Sequence, residues 1–344
     1  MRIAKSTTLP LLILCLAGLV ALAPPAFPQA GSQPPIRFDA VSARLAYLNS
    51  GAIATAIDET ALVQEPMYPA GVLQLPTETR YLLWAELEAG RLSVLENHGE
   101  QGLTLLRHIP ISIGKNGIGK EVEGDKKTPV GVYRITSFLE DEALDDYYGL
   151  GAYPINYPNV RDQLAGRTGH GIWLHGLPKS VTERPFLDSD GCVVVDNQSL
   201  LDLAREITPG QTHLVISRQS IQWVSAEVRA ELRASLGTAF EDWRKAWENR
   251  DNPTYLSYYA DDFYDFKLNK KGWAEYKTRV NNSKKFIGVE VSQLAMLVDP
   301  ENPELVDVRF YQRYSSDNYN WKGWKHQLWR QDESGWKIVY EGNG

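Results

Sequence analysis

Gly166-Arg167-Thr168-Gly169-His170-Gly171-Ile172-Trp173-Leu174-His175-Gly176 and, after a loop, Ser189-Asp190-Gly191-Cys192-Val193-Val194-Val195-Asp196-Asn197 are the segments that decide how this chain is read. Each holds a short apolar run bounded by glycine or polar residues, the pattern of a buried strand. The first run ends on an imidazole and the second begins on a thiol. Neighbouring strands lie about 4.8 Å apart, so pairing the two would bring these side chains within reach of each other. A thiol becomes a useful nucleophile when a base or a positive field lowers its pKa from about 8.5.

Strand alternation chooses between the two histidines. If 171–175 is extended, Gly171, Trp173 and His175 face one way, and His170, Ile172 and Leu174 face the other. His175 is therefore the expected base and His170 a surface or structural histidine. Gly191 lets the backbone approach a substrate carbonyl, and the N–H groups of Gly191 and Cys192 are expected to stabilise a tetrahedral oxyanion. His98, His108, His213 and His326 stand singly in strands or turns. No His-Glu-x-x-His or paired ligand spacing occurs, so no metal and no cofactor are expected.

The remaining composition supports an exported enzyme. Arg2 and Lys5 precede the apolar run Leu9–Ala23, which is too short for a comfortable membrane span of about 20 residues. Residues 1–23 read as a signal peptide with a cut after Ala23; a cut near Ala30 and an uncleaved anchor remain alternatives. Leu14 before Cys15 argues against lipidation. Without this segment Cys192 is the one cysteine left, and a lone thiol in an oxidising compartment such as the periplasm is either packed away or used. The net charge of −7 and the absence of a basic stripe give no reason to expect nucleic acid.

The 344 residues suffice for two domains. Pro24–Pro35 reads as a solvated tether, and Val41, Leu45, Leu48 and Ile53 suit one or two short helices, so 24–79 is expected to be a tether with a short helical element. Residues 80–220 are mostly β, opening on a hairpin over 81–96, with one helix over 197–206. The glycines of 114–119 lack the Gly-Lys-Ser/Thr ending of a phosphate loop. From 224 to 250 the periodicity is helical, with Leu232, Leu236, Phe240, Trp243 and Trp247 in one stripe. A second helix over 255–263 and four alternating strands within 286–340 complete an α+β domain over 225–344.

The pairing of His175-Gly176 with Ser189-x-Gly191-Cys192, together with Thr128-Pro129-Val130-Gly131 and Tyr157-Pro158-Asn159, resembles the L,D-transpeptidase catalytic (YkuD-type) family over about 80–217. The resemblance implies a mainly β catalytic domain of the L,D-transpeptidase β-sandwich type. It implies Cys192 as acylated nucleophile, His175 as base and the Gly176 carbonyl as the group orienting the imidazole, with Ser189 and Gly191 flanking the nucleophile. Peptidoglycan stem peptides are the implied partner. Asp190 stands where many members have histidine, and Val193-Val194 where many have arginine. Arg167 is the candidate replacement cation for a stem carboxylate, with Trp173 and Asp190 as further substrate contacts. A transpeptidase acting on tetrapeptide stems is the favoured expectation. An L,D-carboxypeptidase that sets cell shape and a non-catalytic wall-binding scaffold are the alternatives.

Trp243-x-x-Ala246-Trp247 and Tyr255-Leu256-x-Tyr258-Tyr259 resemble the nuclear-transport-factor-2-like (SnoaL-type) cone. Eight of the ten tryptophans lie from Trp223 onward. Trp243 and Trp247 are expected to fill the cone, and Trp321 and Trp324 to be available for glycan or protein contact. The domain holds no nucleophile–base pair and is expected to serve targeting or homodimerisation.

Overall fold

The computed structural model describes residues 67–344. The expected signal peptide, the tether and the helices expected before residue 67 lie outside the described residues. The chain begins with β1 (Met67–Pro69) and β2 (Val72–Gln74), then the hairpin β3 (Tyr81–Glu86) and β4 (Arg91–Asn97). β5 (Leu103–Pro110), β6 (Ile113–Gly114), β7 (Gly131–Arg134), β8 (Leu139–Glu140) and β9 (Gly151–Pro154) follow. A short helix α1 (Val160–Leu164) precedes β10 (Trp173–His175), β11 (Leu187–Ser189) and β12 (Val193–Val194). After α2 (Asn197–Leu203), β13 (His213–Ser217) closes the first domain and β14 (Trp223–Ser225) leads out of it.

Two sheets face each other in this domain, one ordered β5-β4-β3-β13-β7 and the other β12-β10-β9-β8. Leu83, Ala85, Leu92, Val94, Leu214 and Ile216 of the first meet Tyr153, Leu174 and Val193 of the second in one core. The β3 segment is apolar on consecutive residues rather than alternating, because both its faces are covered. Leu83 and Ala85 point into the sandwich, while Leu82 and Trp84 join a separate cluster with Tyr68, Val72, Ala295 and Leu297.

That separate cluster joins the two domains. The second domain contains α3 (Ala226–Glu248), α4 (Asn252–Ser257), α5 (Lys270–Asn282) and the meander β15 (Ile287–Val298), β16 (Leu305–Ser316), β17 (Asn320–Asp332) and β18 (Gly335–Asn343). Its sheet runs β18-β17-β16-β15-β2, so a strand from before the first domain completes the sheet of the second. Within residues 67–74, expected to belong to a tether and helical element, 67–69 and 72–74 are strands instead, since β14 offers β1 and the open edge of β15 offers β2 backbone partners. Phe240, Trp243 and Trp247 fill the cone with Phe310, Trp329 and Ile338, as their spacing required. Trp321 packs partly on this core and Trp324 lies beneath the Arg309 guanidinium at 3.8 Å, so neither projects freely. The second helix is shorter than its expected span, Asn252–Ser257, capped by the Asp251 carboxylate accepting from Thr254 N–H.

A charged network also bridges the domains. Arg161 and Arg167 each donate to the same Glu301 carboxylate oxygen at 2.6 Å, and Arg167 also reaches Asp162 at 3.1 Å. Arg167, expected to meet a substrate carboxylate, is thus committed to carboxylates of this chain, with 13% of its side chain exposed. Arg161 and Arg167 also reach Asp162, and Arg161 reaches Asp299, so Glu301 is one acceptor in a shared network of charges. A double-mutant cycle of Arg167→Ala and Glu301→Ala, read by denaturant unfolding, is expected to give an interaction energy of about 1–3 kcal/mol. Additive effects would show that the two side chains do not support each other.

Candidate active site

β10 and β12 run parallel, with Leu174 opposite Val193 and His175 opposite Val194. Ile172, Leu174 and Val193 enter the sandwich core. The alternate residues Trp173, Cys192 and Val194 gather with Leu177 on the opposite side. His175 shares the facing of Trp173, and His170 points out to solvent, 83% exposed near Glu123. His170 lies outside β10, beyond Gly171 at φ +73°, so its exposure comes from the preceding loop and not from the alternation, which had grouped it with the core residues Ile172 and Leu174.

His175 is fully buried. Its Nδ1 lies 2.7 Å from the Gly176 carbonyl, which can only accept, so Nδ1 carries the proton. Nε2 is then the basic nitrogen, and it is buried with no hydrogen-bond partner. The Cys192 thiol lies 3.5 Å from the Gly171 carbonyl and receives the Trp173 N–H. Burial pushes the thiol up to about 11, and the Trp173 N–H and the charge of Arg184 oppose that rise. Burial holds the imidazole down at about 4 against the support of the Gly176 carbonyl. The resting pair is accordingly thiol and neutral imidazole, and proton transfer accompanies attack on a substrate.

The turn before Cys192 is fastened by Ser189. Its Oγ donates to the Cys192 carbonyl at 2.7 Å and accepts from the Gly191 N–H at 3.1 Å. This corrects the expected oxyanion pair: the Gly191 N–H is already used within the turn, leaving the Cys192 N–H of the two. Gly191 has φ +126°, and a Cβ there would lie 2.8 Å from the Lys127 carbonyl oxygen. Asp190, expected to touch substrate, sits at the rim, 61% exposed, with Lys115 at 3.5 Å and Lys126 at 3.6 Å.

Three further features were not read from the sequence. Asn197 Nδ2 donates to the Leu177 carbonyl at 2.8 Å, and its Oδ1 accepts from Leu150 N–H at 3.2 Å. The Asn197 oxygen fills the space a Cβ on Gly176 would need, so the turn after the base is built around that side chain. Tyr148 packs against both Trp173 (4.6 Å between centroids) and His175 (5.1 Å), and Tyr147 lies 5.8 Å from His175. Arg184, from the loop between the two motifs, lies over the Tyr147 ring at 5.0 Å. Its place in the loop between base and nucleophile was the one sequence signal available. Among the described residues no cluster of three or more His, Cys, Asp or Glu could hold a metal.

The β-sandwich thus holds a buried thiol and, on the neighbouring strand, an imidazole oriented by a backbone carbonyl. The L,D-transpeptidase catalytic domain (YkuD) matches residues 80–216, and the Cds6 C-terminal NTF2-like domain matches 235–342. The chain is 32% identical to Bd1075 of Bdellovibrio bacteriovorus, with a TM-score of 0.69, covering 81% of this chain and 98% of that one. It is 26% identical to the helical cell shape determining protein Pgp2 of Campylobacter jejuni, with a TM-score of 0.65, over 76% and 91% of the two chains. No curated protein matches the chain. The chain belongs to the L,D-transpeptidase catalytic (YkuD) family, in the form that carries a Cds6-type NTF2-like domain.

The protonation states set an expectation for Cys192 reactivity. Its alkylation by iodoacetamide should keep rising with pH between about 7 and 9, because the thiolate fraction is still small there. A rate already level at about pH 7 would indicate a preformed thiolate–imidazolium pair and contradict the neutral resting state.

Proposed function

We propose that the protein is an exported, periplasmic L,D-carboxypeptidase that trims tetrapeptide stems of peptidoglycan to tripeptides. The observation that carries this reading is a thiol and an unpartnered imidazole nitrogen on paired strands beneath an aromatic cover. Cys192 is 8% exposed and His175 is fully buried beside Tyr147 and Tyr148. The Cys192 sulfur attacks the carbonyl of the L-centre of the third stem residue as His175 Nε2 takes the thiol proton. The C–N bond then breaks, and the departing D-alanine amine takes that proton from His175. Water, deprotonated by the same nitrogen, attacks the thioester, releases the tripeptide and restores the thiol.

The burial of Cys192 beside Tyr148 and Trp173 supports water as acceptor over the cross-linking expected from the sequence. A second stem would have to reach the thioester past the same aromatic residues, whereas water needs little room. The missing arginine after Cys192 points the same way. Transpeptidation stands as the second reading, because the two outcomes share the acyl-enzyme and differ in what resolves it. The likeness to a cell shape determining protein supports a part in wall shaping, with the C-terminal domain directing the enzyme to its site.

Purified wall bearing tetrapeptide stems, incubated with the protein and digested to muropeptides, gives the test. Tripeptides are expected with the natural chain and none with Cys192→Ala. Cross-links between third residues would move the assignment to transpeptidation. An unchanged profile with the natural chain would remove both readings.

A further inference from the structure

We infer that Arg184 recognises the free C-terminal carboxylate of the acyl donor, with the Tyr147 hydroxyl holding its place until the donor binds. This deepens the wall-peptide reading above and rests on it for the identity of the donor. An arginine offers five N–H donors in a rigid fork. Nε donates to Asp188 Oδ2 at 2.7 Å, and Nη2 donates to the Tyr147 hydroxyl and to the Asp188 carbonyl, each at 2.8 Å. Nη1 is buried and has no acceptor, although 7% of the side chain is exposed. Unpaired buried donors on a charged group are costly, and structures rarely carry them without a use.

The location fits a carboxylate on the leaving residue. That carboxylate lies one residue beyond the scissile bond, about 3.8 Å along the chain. Arg184 stands one aromatic ring away from the base, since Tyr147 is 5.0 Å from the guanidinium and 5.8 Å from His175. Its charge is felt at both Cys192 and His175. If the Tyr147 hydroxyl swings aside, Nη1 and Nη2 present two parallel donors, the arrangement that a carboxylate accepts best. Asp188 keeps hold of Nε and so fixes the fork. The cation missing after the cysteine is then supplied from the loop before it, and the enzyme is restricted to stems that end in a free carboxylate.

Two haloacetyl reagents test this without requiring turnover on wall. Iodoacetate and iodoacetamide each form a C–S bond at Cys192 as iodide leaves, and they differ in one carboxylate. The ratio of their rates, iodoacetate over iodoacetamide, is expected to fall about tenfold or more in Arg184→Gln and to recover in part in Arg184→Lys. Tyr147→Phe, which removes the placeholder hydroxyl and keeps the ring, is expected to raise the ratio. An equal ratio in the natural chain and Arg184→Gln, or no rise in Tyr147→Phe, would overturn the assignment. So would a natural chain that iodoacetamide labels and iodoacetate does not. In parallel, KM for a tetrapeptide stem should rise about tenfold or more in Arg184→Gln, and the preference for the free acid over its C-terminal amide should vanish. Loss of the haloacetyl ratio without any wall turnover would leave carboxylate recognition standing and remove the wall-peptide reading alone.

Discussion

The hydrogen bond from His175 Nδ1 to the carbonyl of Gly176 sets the chemistry available to this fold. It assigns the proton to one ring nitrogen and leaves the other as a base, in a place where burial keeps the ring uncharged. The bond closes on the next residue, so it depends on the course of the chain at 175–177. Asn197 fixes that course, holding the Leu177 carbonyl on one side and the Leu150 N–H on the other. Because Asn197 opens α2, shortly after Cys192 and β12, one side chain ties together the His175 turn, the Cys192 segment and the loop carrying Tyr147 and Tyr148.

The second domain is built into the first. β2 completes the C-terminal sheet, and Trp84 and Leu82 from the outer face of the catalytic sheet pack with Ala295 and Leu297. Arg161 and Arg167 meet Glu301 at the same junction. A module joined by a shared sheet edge, a shared apolar cluster and shared ion pairs is held at a defined place, unlike one hung on a linker.

The sequence was most legible where one local rule dominated. Alternation put His175 on the side of Trp173, because the strand is buried on one side and opens to the site on the other, but it misplaced His170, which lies beyond the break in the strand at Gly171. The i, i+4 tryptophans of α3 marked the cone core for the same kind of reason. What escaped reading depends on contacts between distant segments. α5 turns Trp273, Lys277 and Asn281 inward, and two of these three buried positions are polar, so hydropathy alone does not mark them as core. Lys277 is tolerated there because Trp247 and Trp273 face its ammonium at 4.6 and 4.5 Å. β2 is three residues long and acquires its identity from β15. Arg184 lies in an irregular loop with no period at all, while Arg167, beside the histidine motif in sequence, is drawn off by Glu301 of the other domain.

The central claim is that Cys192 carries the acyl group, and trapping that intermediate tests it most directly. Rapid acid quench of the protein with a tetrapeptide muropeptide, followed by intact-mass and peptide mapping, is expected to show an adduct on Cys192. Its mass should equal the muropeptide less the departing D-alanine, and it should be lost on treatment with hydroxylamine. Turnover without any such adduct, or with the adduct on another residue, would contradict the account.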